Sequence, residues 1–261
     1  MSDLRNQGFP GAQPTIARSA SHEIDEGLRA YMLRVYNYMA MGLGITGLAA
    51  YGAFLMAVTT DQGAAAGQLA DGTMLTSFGV MLFTSPLKWV VMLAPLGLVF
   101  FLSAKISSMS VSGAQIAFWV FAALMGLSLS SIFLVYTSTS ITRVFFITSA
   151  AFGALSLYGY TTKKDISGWG SFLFMGLIGI IIASVVNIFL ASSALTFAVS
   201  VIGVLVFAGL TAYDTQQIKE MYYEGDSATA SGRKAIMGAL RLYLDFINMF
   251  IMLLSLFGNR N

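Results

Sequence analysis

The chain has 261 residues, of which 57% are hydrophobic and 10% charged, against roughly 45–50% and about 25% in an ordinary soluble domain. No soluble fold can cover that much apolar surface, so the solvent here is lipid, and the natural unit is one helical bundle that satisfies its own backbone. A net charge of +2 without a dense basic run gives no nucleic-acid footprint, while the lack of cysteine and the single histidine, His22, exclude disulfides, thiol nucleophiles and most metal or triad chemistry.

Residues 1–29 are polar, with glycine, proline, serine and charges of both signs. They lack the apolar core of a signal peptide and read as a disordered cytoplasmic tail, with no targeting segment removed, ahead of a transmembrane domain over 30–261. Taking about 20 apolar residues per crossing, seven segments follow: 35–58, 87–104, 113–136, 142–162, 169–190, 194–216 and 239–257. The link 59–86 is the longest and holds Asp61 and Asp71; its apolar end, 78–83, reads as a short interfacial helix. Pro95 removes one backbone bond within the second segment and predicts a kink. Small residues four apart, Ala49 with Ala53, Ala122 with Gly126, Ser149 with Gly153 and Ala208 with Ala212, read as close-packing seams between helices. The link 107–112 and those after the third, fourth and fifth segments are short, whereas 220–238 is longer and charged. Lys and Arg fix the orientation: with the N-terminus inside, eleven of them flank the cytoplasmic side and only Lys88, Arg143 and Arg260 lie outside. The C-terminus is then outside, and the link between the last two segments inside.

Two acids fall within crossing segments, where a carboxylate costs roughly 2.5–3.5 kcal/mol and is presumed to face a partner or water. Asp245 sits about six residues into the seventh segment as read here, on a face with Arg241, Asn248 and Met252. Asp214 ends the sixth, on a face with Thr211 and Gln217. Both lie toward the cytoplasmic mouth, and if the faces oppose, the two carboxyls compete for a proton and form a pH switch. The alternative is that Asp245 merely pairs with Arg241 and that Asp214 is a solvated helix-end residue beside Lys219. Asn187 reads as interhelical hydrogen-bond glue or a buried polar site residue. Lys105, at the end of the second segment, reads as a cation that pairs with an aspartate in one state, or as a snorkelling topology determinant.

The sequence VNIF, a glycine-containing apolar segment ending AYDTQQIK, a short charged loop and LYLDFINMFIMLLSLFG together resemble the transmembrane Bax-inhibitor-motif family, the Bax-inhibitor/YccA-like proteins. The match is closest over 187–258, and GLSLSSIF at 126–133 is compatible with it. That resemblance implies an all-α polytopic fold, six helices around a central hydrophobic seventh, in a bacterial inner membrane. It implies a pH-sensitive calcium-leak channel whose sensor is an aspartate pair, matching Asp214 and Asp245, with a basic latch at the end of the second helix for which Lys105 is the nearest candidate. This chain has lysine rather than arginine there and no glutamate within the second segment, which departs from some members. Ca²⁺ would be a permeant ion held weakly and briefly by the two aspartates, with Asn248, carbonyls and water adding ligands, and no resident cofactor is expected.

Two other classes compete. Tyr213-Asp214 fits an intramembrane aspartyl protease, but Leu242-Tyr243-Leu244-Asp245 is not a glycine-flanked GxGD and no Pro-Ala-Leu follows, so the expectation is that the chain is not an enzyme. The other is a membrane modulator that binds a membrane protease or similar partner through the 1–29 tail.

Overall fold

The computed structural model describes the backbone of residues 14–261 and the side chains of 26–261. Of the tail expected over 1–29, residues 1–13 lie outside the described residues, while the backbone from Pro14 on, His22 included, is helical. Among the described residues, seven helices are long and apolar enough to cross a membrane: α1 (Pro14–Ala57), α2 (Leu87–Lys105), α3 (Val111–Leu129), α4 (Ser138–Thr161), α5 (Trp169–Leu190), α6 (Ser193–Glu220) and α7 (Ala228–Phe257). The fold is an all-α polytopic membrane bundle. α7 is its axis: 56% of its apolar stretch is buried, against 33% or less in each of the others, and α1, α3, α4 and α6 all pack on it. α2 leans chiefly on α3, and α5 on α6.

Hydroxyl side chains start most of these helices. Ser110, Thr137, Ser192 and Ser227 each accept a hydrogen bond from the backbone N–H three residues on, meeting one of the orphan donors of a first turn. The cap at Ser227 corrects one boundary. The last helix begins at Ala228 rather than 239, so 228–238, read as a charged link, is helical. Its charges are spent locally: Lys234 Nζ pairs with Asp226 Oδ2 at 2.6 Å and donates to the Met221 carbonyl at 3.0 Å, while Arg233 donates to the Ser107 carbonyl. The small residues on either side of them, Gly232 and Gly238, lie against Val111 and Ile218. α2 continues helically through Pro95.

The long link is more ordered than its sequence predicts. Strands β1 (Gly67–Gln68) and β2 (Met74–Leu75) form an antiparallel hairpin, turned at Gly72 with φ +91°, a left-handed conformation that favours glycine. The Thr73 N–H on Asp71 Oδ1, at 2.9 Å, holds that exposed carboxyl below the usual carboxylate range. The segment expected to be a short helix is helical, α over Ser77–Gly79 and π over Val80–Thr84. Thr76 ties this segment to the end of α1, its Oγ1 donating to the Met56 carbonyl at 2.7 Å.

At that same end the last residues are strapped to the junction of α3 and α4. Tyr136 and Arg260 form an isolated β-bridge, Thr137 N–H donates to the Asn259 carbonyl at 3.0 Å, and Asn261 N–H to that of Val135 at 3.0 Å.

Candidate functional site

The side chains along α7 point to different neighbours because successive residues are turned by about 100°. Tyr243 is fully buried on the α1/α3 side: its hydroxyl is 2.6 Å from Thr46 Oγ1, and its ring meets Phe118 and Phe121 edge-on. Two residues on, and so on roughly the opposite side, Asp245 turns to α6. Phe246 turns to α4, its ring 5.5 Å from Phe152. Asn248 faces a cavity of about 530 Å³ bounded by all helices but α1 and α4. The aromatic anchor at Tyr243 thus fixes the rotation that aims Asp245.

The register of α6 against α7 places the second acid. Ser200 Oγ and Ser255 Oγ bond at 3.0 Å, Gly203 abuts Met252 and Gly238 abuts Ile218. Between these contacts Asp214 and Asp245 come within hydrogen-bonding reach of each other. Two carboxyls make such a bond only when one holds a proton. Asp245 is 5% exposed, and its Oδ2 is buried without an N–H or O–H donor among the described residues. Asp214 is half-buried. Arg241, exposed one turn before Asp245, acts on both carboxyls through space but forms no ion pair with either among the described residues.

The other residues singled out by sequence fall into separate roles. Asn187 clamps the α5–α6 turn: its Nδ2 donates to Thr196 Oγ1 at 2.7 Å and its Oδ1 accepts from Ser192 N–H at 3.0 Å. It supports the left-handed residue Ala191, φ +48°, and lies at the end of the bundle away from the acids. Replacing Asn187 with leucine should lower stability by about 1–2 kcal/mol in detergent melting while leaving any transport activity intact. Asn248 donates to the Leu244 carbonyl at 2.8 Å and lines the cavity. Lys105 is exposed at the end of α2 and pairs with neither aspartate among the described residues. Arg233 instead ties that end of α2 to α7. Thr211 back-bonds to the Phe207 carbonyl, and Gln217 reaches Ser167 at 3.1 Å, so only Asp214 on that predicted polar face turns to α7.

Sequence reasoning missed two features beside the pair. Gln216, 4% exposed, holds the α4–α5 link, accepting from Ile166 N–H at 2.9 Å and donating to the Lys164 carbonyl at 2.8 Å. In the same link the Ser167 N–H keeps the exposed Asp165 carboxyl below its usual range. A chain of hydroxyls, Tyr36 to Ser156 at 2.7 Å and Ser156 to Thr215 at 2.9 Å, crosses from α1 through α4 to α6. Each partner is ordinary in sequence; only the packing joins them.

The donor set limits what the pair can bind. Among the described residues no three His, Cys, Asp or Glu side chains form a metal-holding group. Ca²⁺ takes 6–8 oxygens, and two carboxyls with a nearby amide oxygen fit an ion that keeps much of its water, not a resident one.

These features define a polytopic helical membrane protein with a protonatable carboxyl pair between its central helix and α6. The chain belongs to the family described as "Inhibitor of apoptosis-promoting Bax1", whose pattern it matches over residues 28–261. It is 48% identical to the "Uncharacterized protein RP147" of Rickettsia prowazekii, covering 93% of this chain and 94% of that one. It is 46% identical to "Inner membrane protein YbhL" of Escherichia coli, covering 90% and 93%, and 44% identical to an "Uncharacterized protein" of Caulobacter vibrioides, covering 99% and 98%.

Proposed function

We propose that the protein is a pH-sensitive calcium-leak channel of the bacterial inner membrane, with no enzymatic activity, gated by the proton that Asp214 and Asp245 share. The observation that carries this reading is the meeting of those two carboxyls inside the bundle. With the proton in place, the pair bonds α6 to α7. Without it, two adjacent negative charges repel each other and attract a cation, so one titration changes both helix contact and ion affinity. Asn248, one turn beyond Asp245, lines the cavity that extends past Met92 and Ile188, which brings that cavity within about one helical turn of the pair. The inner-membrane assignment is supported by the name of the Escherichia coli relative, and the N-inside, C-outside orientation by the bias of eleven basic residues against three.

The test is Ca²⁺ efflux from liposomes as a function of pH for wild type, Asp214→Asn and Asp245→Asn. Each variant should flatten or displace the wild-type pH profile. Profiles that superimpose on wild type at every pH would remove the pair from gating.

A further inference from the structure

The sequence reads Ser149 and Gly153 as a packing seam, yet a Cβ on Gly153 would meet nothing within 4 Å. The reason is a gap. α1 and α4 pack on α7 from two sides but touch each other only sparsely, as at the Tyr36–Ser156 bond, which leaves a crevice between them open to the bilayer. It begins at Arg29 and Tyr160 with a volume of about 530 Å³, continues past Ala40 and Leu43, and ends near Phe133 and Phe146. Its floor is the Phe152–Phe246 ring pair. From Arg29 to Ala50 it runs about 32 Å at 1.5 Å per residue, comparable to the ~30 Å hydrocarbon thickness.

The chemistry of the walls selects the occupant. They are almost wholly apolar, and the hydroxyls of Tyr36 and Ser156 at the inner edge already bond to each other and onward to Thr215. Ordered water needs two to four polar partners, and the few hydroxyls along these walls are scattered rather than gathered. At its mouth the charge is positive. Arg29 is exposed on the α1 wall, and Lys219 Nζ lies 5.5 Å over the Tyr160 ring while donating to the Tyr160 carbonyl at 2.9 Å. An apolar slot that descends from a cationic rim, its first half as deep as one leaflet, matches a hydrocarbon chain beneath a phosphate.

We propose that the crevice between α1 and α4 binds an acyl chain of an anionic phospholipid, with the lipid phosphate at Arg29 and Lys219. The chain would lie on Phe246, the residue next to Asp245, so this site touches the central helix at the level of the carboxyl pair. The proposal does not depend on ion conduction, and its test reads lipid retention alone.

Purified full-length protein in detergent is titrated with dioleoylphosphatidylglycerol and, separately, with dioleoylphosphatidylcholine, and the singly lipid-bound fraction is read by native mass spectrometry. Wild type should retain phosphatidylglycerol about five-fold better than phosphatidylcholine, and Arg29→Gln should bring the two level. Gly153→Leu and Gly47→Leu each place a side chain into open crevice space, and each should cut retention of both lipids about five-fold at unchanged helical content. Either variant suffices should the other misfold. Wild-type retention in the folded filled variants, or equal retention of the two lipids by wild type, overturns the assignment.

Discussion

Gly159→Leu is expected to prevent the bundle from assembling. A Cβ at Gly159 would lie 2.2 Å from the Ala212 carbonyl oxygen and 2.9 Å from its carbon, so α4 and α6 touch backbone to backbone. Neither side can yield by rotating a side chain. Overpacking a core commonly costs about 1–3 kcal/mol and occasionally more; rigid backbone on both sides places this case at the upper end or beyond. The loss should appear as aggregated or absent protein in size-exclusion chromatography, and even Gly159→Ala should melt earlier than wild type. Gly153→Ala, on the same helix six residues earlier, is the control. It should be neutral or gain up to about 1 kcal/mol from helix propensity. Equal stability of Gly159→Leu and wild type would show that the two backbones do not meet there.

The second large effect concerns Asp245. A buried carboxyl that relies on a shared proton for its hydrogen bond is a weak point of the central helix. Asparagine has nearly the same shape but carries its own N–H donors, so Asp245→Asn can donate to Asp214 at any pH. We expect this variant to unfold at a higher temperature than wild type, by the equivalent of about 1–3 kcal/mol, with the largest difference where the wild-type pair has lost its proton. Asp245→Leu should behave differently, because it leaves Asp214 half-buried without its partner. Thermal unfolding in detergent across pH separates the two, and an Asp245→Asn variant less stable than wild type throughout would mean that the carboxyl makes a contact the pair does not explain. A gain in stability coupled to altered Ca²⁺ flux would mark Asp245 as a residue kept for function at the expense of packing.

The crossing helices were legible because lipid imposes a simple rule, about 20 apolar residues per span, and the boundaries of α2 and α5 fall within a few residues of where hydropathy puts them. The start of α7 was not. Arg233 and Lys234 make 228–238 look like a loop, whereas the Ser227 cap and the small buried positions Gly232, Ala235 and Gly238 make it helix. The pair itself was foreseeable from charge in an apolar context, since Asp214 and Asp245 are the only acids whose surroundings demand a partner. What sequence could not supply was register. Arg241 shares a predicted face with Asp245 yet is exposed, and Lys105 stays outside because α2 leans away on α3. The crevice was invisible for the same reason: Gly153 and Ala122 sit in similar small-residue pairs, and only the third dimension shows that Ala122 is enclosed while Gly153 borders open space.

The central helix is fastened at both extremities, by Arg233 and Lys234 at its start and by the strap of Asn259 to Asn261 at its finish. A shaft pinned top and bottom can twist but cannot piston. Any excursion that separates the two acids must therefore come from rotation of that shaft or from outward swing of α6, which carries Asp214, and a label on α6 would register it first.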